Sequence, residues 1–221
     1  IATDFRKTLK MKIIGITGTN GKTSTKELLV RFLKTKFNVS YSEGNYNSTI
    51  SLPLSMLACD SKSDYCVLEM GASKNGEIES LCSIANPDIG LITNISASHL
   101  EGYRSFSELI STKLALYESV ISNNGICFLN KDDGNIKAKD SYKNIVTYSC
   151  FDNSADYFAN TSQIKDNLVC INNYSFDIPY KSSIFVSNFL ASFSVASSVG
   201  IDNQKIQSSL VDFCFPNGRG T

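Results

Sequence analysis

Gly15-Ile-Thr-Gly-Thr-Asn-Gly-Lys-Thr23 joins an apolar run to an amphipathic segment, residues 23–36. A strand, a glycine-rich loop and a helix in this order are the setting that a phosphate-binding loop requires. Glycines let consecutive backbone N–H groups turn toward a polyphosphate, and the helix N-terminus adds its positive dipole end. Ile16 stands where the standard Gly-x-x-x-x-Gly-Lys spacing has its first glycine. We still predict a phosphate loop, in which Lys22 contacts the β- and γ-phosphates and the Thr23 hydroxyl binds Mg²⁺.

Short apolar runs alternate with helical patterns along most of the chain. Strands are predicted at residues 12–17, 64–70, 88–93, 125–129 and 146–149, and helices at residues 23–36, 76–85, 105–121, 187–199 and 202–213. This alternation predicts a mostly parallel central sheet flanked by helices. Residues 156–179 instead carry short alternating segments with turn residues, which favours a few antiparallel edge strands. The predicted fold class is α/β, a P-loop nucleotide-binding fold.

Composition excludes several classes of protein. The 221 residues include 21 Lys and Arg and 21 Asp and Glu, so the formal net charge of zero gives no electrostatic reason for binding nucleic acid or an anionic membrane. The single histidine, His99, excludes a multi-histidine metal site. Seven scattered cysteines without a C-x-x-C pair fit buried thiols in a reducing compartment. No apolar segment is long enough for a membrane span. We expect a soluble, cytoplasmic monomer.

Chemistry-bearing residues follow the predicted strands. Glu69 ends one strand, where open α/β sheets place ligands, and a carboxylate there suits Mg²⁺; a solvated strand-end Glu is the alternative. Asn94 and His99 follow the next strand. A lone histidine is more often structural than functional, but this position favours a ligand role. Lys113 lies in an amphipathic helix, and its spacing alone favours a surface lysine.

Together these motifs resemble the Mur ligases, the ATP-dependent amide-bond-forming enzymes of peptidoglycan synthesis. Gly18 to Thr23 read as the family's phosphate loop does, which accounts for the unusual spacing. The match continues in chain order through Glu43-Gly-Asn-Tyr-Asn47, Leu52-Pro-Leu, Leu68-Glu-Met-Gly-Ala72, Gly76-Glu-Ile, Ile92-Thr-Asn-Ile and His99-Leu-Glu-Gly-Tyr. It is dense over residues 12–130 and looser as far as residue 220. The stretch at residues 68–72 most resembles the family member that adds D-alanyl-D-alanine to UDP-N-acetylmuramoyl-tripeptide.

The resemblance implies a role for each candidate residue. The implied nucleotide-binding residues are Gly18, Thr19, Asn20, Gly21, Lys22, Thr23, Ser24, Asn188 and Arg219. Two Mg²⁺ ions are implied, with Thr23, Glu69, His99 and a carbamylated Lys113 as ligands. The implied catalytic residues are Lys22, His99 and Lys113, and the implied substrate-binding residues are Asn45, Asn47 and Asn94.

The implied reaction passes through an acyl phosphate. The tripeptide carboxylate takes the γ-phosphoryl group of ATP, and the amine of D-alanyl-D-alanine then displaces phosphate. The expected domains are a linker from an N-terminal UDP-sugar-binding domain at residues 1–11, a central ATP-binding domain at residues 12–215, and the start of a connection to a C-terminal domain at residues 216–221. We expect this central part to be inactive by itself, because domain closure assembles such a site.

Departures from the family pattern keep other functions open. The family's adenine-side motif, His-Asn-x-x-Asn, would fall at residues 184–188, where only Asn188 remains, and stacking of Phe185 on the base is one substitute. Ser48 replaces a usual Asn. The alternatives are another amide ligase of the superfamily, a P-loop kinase or switch ATPase, and a noncatalytic nucleotide-binding module. Residues 69–72 argue against the first alternative, and a kinase or switch ATPase would not require Lys113 together with His99 and Glu69. Intact Lys22, Glu69, His99 and Lys113 argue against the noncatalytic module.

Overall fold

The structure is a computed structural model that describes residues 1–98, 100–139, 142–165 and 167–215. Within these ranges the strands are β1 (Lys12–Thr17), β2 (Val39–Tyr41), β3 (Tyr65–Glu69), β4 (Ile89–Ile92), β5 (Ile126–Asn130), β6 (Ile145–Ser149), β7 (Tyr157–Lys165), β8 (Leu168–Ile171) and β9 (Tyr174–Asp177). The helices are α1 (Ala2–Thr8), α2 (Lys22–Leu33), α3 (Ser51–Leu57), α4 (Glu77–Ala85), α5 (Phe106–Ser122), α6 (Ser183–Ser198) and α7 (Asn203–Leu210), with a 3₁₀ turn at Leu100–Gly102. In these ranges no helix combines the length and the apolar character that crossing a membrane requires.

The strands form one sheet in the order β2-β3-β1-β4-β5-β6-β7-β8-β9. Neighbours from β2 to β7 pair in parallel, and β8 and β9 extend the sheet with antiparallel pairs. The predicted α/β fold, a mostly parallel sheet with antiparallel edge strands, is confirmed. Parallel strands end at the same edge of a sheet, so the segments that follow β1, β3 and β4 meet there.

The two faces of the sheet are covered by separate hydrophobic clusters. Along β1 the side chains alternate: Ile14 and Ile16 join the cluster that contains Phe189 of α6, whereas Ile13 joins the cluster that contains Leu116 of α5. Helices α2 and α6 pack together on the first face, and α4 and α5 pack together on the second. Both faces of the central strands are therefore buried, as a parallel sheet requires.

Two short helices, α1 and α3, lie in segments for which no element was predicted. Helix α1, in the segment expected to be a linker, is anchored by Arg6, whose guanidinium donates to the Ala85 carbonyl at 2.7 Å and to the Asp88 carboxylate at 3.2 Å. Pro53 is the third residue of α3, where a backbone N–H has no acceptor within the helix, so proline is tolerated there. Seven residues each give too little periodicity to predict a helix.

Helix α6 begins at Ser183, whereas the pattern predicts a start at residue 187. The Ser182 hydroxyl accepts the backbone N–H of Phe185 at 3.2 Å and caps the helix. Phe185 is therefore helical, and its ring packs against those of Tyr180 and Phe189. Ser183 and Ser187 interrupt the apolar residues in the first turns of α6. Apolar spacing alone therefore did not predict this early start.

Phe189 is the centre of an aromatic cluster that joins α6 to α2 and to β9. Its ring contacts those of Phe32, Phe176 and Phe193 at centroid distances between 5.4 and 6.1 Å. We predict that Phe189→Ala lowers the free energy of unfolding by about 3–5 kcal/mol, because it removes buried area and leaves a cavity. Urea denaturation measures the change. Phe151→Ala, at an exposed ring, is the control, and an equal loss in both variants would contradict the assignment.

Candidate active site

The loop between β1 and α2 has a backbone that only glycine accommodates at two positions. Gly18 has φ of +144° and Gly21 has φ of +80°. A Cβ atom on Gly18 would lie 2.0 Å from the Thr93 hydroxyl, and one on Gly21 would lie 2.3 Å from the Asn188 side-chain oxygen. Neighbouring elements press against the loop at both glycines, so its backbone is held in one conformation.

Asn94 holds this loop from the end of β4. Its side-chain amide donates to the Asn20 carbonyl at 2.9 Å and accepts the Asn20 N–H at 3.1 Å. Its backbone carbonyl accepts the N–H of Thr19 at 2.8 Å. The structure therefore places Asn94 as a brace for the loop, and its contact with a substrate stays a prediction.

Two lysine side chains converge on the Gly18 carbonyl. Lys22 Nζ donates to it at 2.9 Å and to the Thr19 carbonyl at 2.9 Å, and Lys113 Nζ donates to it at 3.1 Å. Burial lowers the pKa of Lys22, although the nearby Glu69 partly opposes that shift. Burial, and then the charge of Lys22, lower the pKa of Lys113 to about 8. Lys113 is only 5% exposed, so the interpretation as a surface lysine is wrong.

Glu69 is a buried carboxylate at the end of β3. It is 2% exposed, so the interpretation as a solvated strand-end residue is also wrong. Its Oε1 accepts a hydrogen bond from the Asn47 side chain at 2.7 Å, whereas none of the described residues donates to its Oε2. A buried carboxylate oxygen without a donor is costly unless a cation lies against it. Glu69 therefore fits a hard divalent cation, which prefers oxygen ligands.

Of the other candidate metal ligands, Thr23 lies at the start of α2 and Lys113 on α5. Ser24, a predicted nucleotide-binding residue, follows Thr23 in the first turn of α2. Over the ranges that the structure covers, no three His, Cys, Asp or Glu side chains come together to hold an ion. A cation held by Glu69 would therefore need further oxygen ligands, such as a hydroxyl group or the oxygens of a bound phosphate. His99 and Arg219 lie outside the described residues.

Asn188 lies under the loop, on helix α6. Its side-chain oxygen faces Gly21 and lies 3.4 Å from the Thr25 hydroxyl, which places it as a support for the start of α2. Phe185 is 3% exposed and belongs to the aromatic cluster around Phe189. The idea that Phe185 stacks on adenine is therefore wrong, because the early start of α6 turns its ring into the core.

A cleft of about 360 Å³ opens beside the loop, and its lining includes Lys22, Asn47, Ser73, Tyr103 and Lys113. Asn45 lies in the exposed loop that leads to Asn47. A larger cavity of about 810 Å³ lies between α4 and α5 and contains none of the predicted site residues. Size alone does not locate the site, because the charged groups converge on the smaller cleft.

Sequence reasoning missed one charged residue beside the site, Lys26. It is buried on α2, in helical register with the buried Leu29 and Leu33. The available signal was that this lysine occupies the apolar face of a predicted helix, which indicates burial. A buried lysine is rare unless it has partners, so such a position indicates a specific contact.

Comparison with known proteins places this geometry in a family. The Mur ligase middle domain profile matches residues 16–196. The chain belongs to the Mur ligase family. This Mur ligase domain is similar to UDP-N-acetylmuramoyl-tripeptide–D-alanyl-D-alanine ligases: the Borreliella burgdorferi protein is 30% identical over 94% of the chain and 46% of that protein. The Bacillus subtilis protein is 36% identical over 60% of the chain and 29% of that protein.

Solved structures agree with the fold of the Mur ligase domain. MurF ligase from Thermotoga maritima in complex with ADP matches with a TM-score of 0.84 and 26% identity, over 99% of this chain and 52% of that one. MurF from Acinetobacter baumannii matches with a TM-score of 0.87 and 23% identity, over 99% and 49% of the two chains. The Mur ligase domain spans about half of these relatives or less.

The buried charge of Lys113 predicts a pH-dependent stability. Its native pKa of about 8 lies below the ordinary lysine value of 10.5, so the unfolded chain binds more protons between these two pH values. Stability therefore rises with pH across that window. We predict that Lys113→Met raises the urea midpoint at pH 7, and that its advantage over wild type shrinks from pH 8 to pH 10.

The measurement is urea denaturation in carbon dioxide-free buffer without nucleotide. Lys7→Met, at an exposed lysine of α1, is the control and is expected to follow the wild-type pH profile. A constant difference between Lys113→Met and wild type from pH 7 to pH 10 would show that Lys113 is not destabilised in its charged form.

Proposed function

We propose that this protein is an ATP-dependent amide ligase that adds D-alanyl-D-alanine to UDP-N-acetylmuramoyl-tripeptide in peptidoglycan synthesis. The observation that carries the proposal is the buried Glu69 carboxylate, with one oxygen lacking a donor among the described residues, beside a phosphate loop with two buried lysines. The names of the relatives support the choice of substrates. The chain spans only part of these relatives, and we propose that residues 12–215 are a central domain between connections to flanking domains.

The chemical problem is to bring a carboxylate onto an anionic phosphate. In the proposed reaction the tripeptide carboxylate attacks the γ-phosphorus of ATP and forms an acyl phosphate and ADP. The amine of D-alanyl-D-alanine then attacks the acyl carbon, and phosphate leaves. Lys22 would turn from two loop carbonyls toward the phosphate oxygens, where its charge offsets the repulsion.

Glu69 and Thr23 would provide the protein ligands of one Mg²⁺ ion. When bound, that ion would neutralise part of the negative charge of the phosphates. We propose a second ion held by His99 and a carbamylated Lys113. Carbon dioxide adds only to a neutral amine, and a lysine with a pKa of about 8 is neutral far more often near pH 7 than an ordinary lysine. The ammonium group first loses one proton, and the neutral amine nitrogen then bonds to the carbon of carbon dioxide with release of a second proton. A cation beside Lys22 thereby becomes an anion.

A noncatalytic nucleotide-binding module is the second candidate. The observation that favours it is the adenine-side motif, of which Asn188 remains while Phe185 lies in the core. Asn188 supports the loop in the structure, which leaves the adenine contact to other residues. Nucleotide binding is common to both candidates, whereas carbamylation of Lys113 is expected only for the ligase.

We predict that Lys22→Ala weakens binding of Mg·ATP by about 10- to 100-fold, because a hydrogen bond to a charged group contributes about 1.5–3 kcal/mol. Isothermal titration calorimetry measures the affinity. Lys62→Ala, at an exposed lysine outside the cleft, is the control and keeps the wild-type affinity. Equal affinity of wild type and Lys22→Ala would refute the phosphate role of Lys22.

We predict that Lys113 carries a carbamate. Incubation with ¹³C-bicarbonate should give a carbamate signal in the ¹³C NMR spectrum of wild type, because burial lowers the pKa of this amine. Lys113→Met should lack the signal, and Lys36→Met, at an exposed lysine, should keep it. In the complete enzyme, Lys113→Ala should abolish ligation. A ligation rate in Lys113→Ala equal to that of wild type would contradict the carbamate assignment.

A further inference from the structure

Lys26 is a fully buried lysine on the helix that follows the phosphate loop. Its exposed fraction is 0%, and its Nζ donates to the Ser42 carbonyl at 2.6 Å and to the Gly44 carbonyl at 2.9 Å. The same Nζ lies 3.3 Å from a carboxylate oxygen of Glu27. Three acceptors therefore surround an ammonium group that has three N–H donors. A charge buried away from water is unfavourable unless its partners stay in place, so moving the segment that contains Ser42 and Gly44 away from Lys26 would be costly. The arrangement therefore holds that segment against α2.

That segment, residues 42–47, holds Glu69 at two points. The Ser42 hydroxyl accepts the backbone N–H of Glu69 at 3.0 Å, and the Asn47 side chain donates to Glu69 Oε1 at 2.7 Å. The Asn47 carbonyl also accepts the N–H of Gly71, just after β3, at 2.8 Å. The segment thereby holds the backbone and one carboxylate oxygen of Glu69, while Oε2 has no donor among the described residues.

A continuous chain of contacts therefore runs from α2 to the carboxylate. Lys26 is three residues beyond Thr23, about one helical turn, so the two side chains belong to the same rigid element. We propose that Lys26 is a positioning residue, which sets the separation between the start of α2 and the Glu69 carboxylate through residues 42–47. The inference rests on the proposed function, in which Thr23 and Glu69 hold one Mg²⁺.

Magnesium makes such positioning necessary. The ion demands near-octahedral geometry with oxygen ligands at about 2 Å, so a small displacement of one ligand weakens binding. Partners that orient the ligands of a metal typically contribute 10- to 100-fold to metal affinity. A lysine held by backbone carbonyls of the facing segment provides such orientation without touching the ion. A purely structural lysine would instead affect folding and nucleotide binding whether or not Mg²⁺ is present.

The test compares Lys26→Met with wild type, using the β,γ-imido analogue of ATP as probe. Calorimetry gives the affinity in EDTA and over a Mg²⁺ titration. We expect the affinity in EDTA to stay within about twofold of wild type, and the Mg²⁺ concentration that gives half of the affinity gain to rise roughly tenfold. Lys36→Met is the matched control, because Lys36 Nζ also donates to a backbone carbonyl, that of Gly200 at 2.9 Å, outside the cleft. It should leave the Mg²⁺ midpoint unchanged.

A double-variant comparison separates positioning from general damage. If Lys26 acts through residues 42–47, Asn47→Ala and Lys26→Met disturb the same carboxylate, and the double variant should shift the Mg²⁺ midpoint little more than the larger single change. Independent damage would multiply the two shifts and overturn the proposal. Lys26→Gln, which keeps an N–H donor, should shift the midpoint less than Lys26→Met, and it replaces Lys26→Met if that variant does not fold.

The outcomes distinguish the two proposals. If wild type binds the analogue with a Mg²⁺-dependent gain and Lys26→Met has the same midpoint, the positioning role is overturned while the proposed function stands. Equal loss of affinity by Lys26→Met in EDTA and in Mg²⁺ also overturns positioning. If wild type itself gains no affinity from Mg²⁺, the metal role of Glu69 fails, and the role of Lys26 fails with it.

Discussion

Two ammonium groups, those of Lys22 and Lys113, donate to one peptide oxygen, the carbonyl of Gly18. Two cations this close repel each other, and burial removes the water that would screen them. Anions placed beside them relieve the repulsion, and so does loss of a proton from Lys113, whose pKa is lowered to about 8 by burial and by the charge of Lys22. Glu69 places one carboxylate near Lys22, and the proposed phosphate ligand and carbamate would add negative charge at the same edge of the sheet.

The rest of the fold keeps that edge rigid. Parallel pairing of β1 with β3 and β4 brings the loop, Glu69 and Asn94 to one end of the sheet. Helix α6 supports the loop from below, since Asn188 lies against Gly21. The aromatic cluster around Phe189 fixes α6 against α2 in turn. The geometry of the candidate site therefore depends on an aromatic cluster whose side chains carry no catalytic or binding group.

Hydrogen bonding around Glu69 is asymmetric, and this asymmetry connects the fold to the proposed chemistry. One carboxylate oxygen and the backbone N–H are both held by residues 42–47, which are tied to α2 by Lys26. The remaining oxygen has no donor among the described residues. A carboxylate restrained on one side and free on the other is suited to a metal ligand, because its orientation is set before the ion arrives.

Local sequence patterns determined the strand–loop–helix at residues 12–36, the alternation of strands and helices, and the residue types at the strand ends. These features depend on neighbours along the chain, so one sequence suffices to predict them. Tertiary structure alone decided that Lys113 is buried, which partners hold Lys26, and that Phe185 points into the core. Lys113 donates to the carbonyl of Gly18, which is 95 residues away along the chain. Lys26 on α2 donates to the carbonyl of Ser42, which directly follows β2. Burial depends on such distant partners, and the spacing of residues within one helix does not contain them.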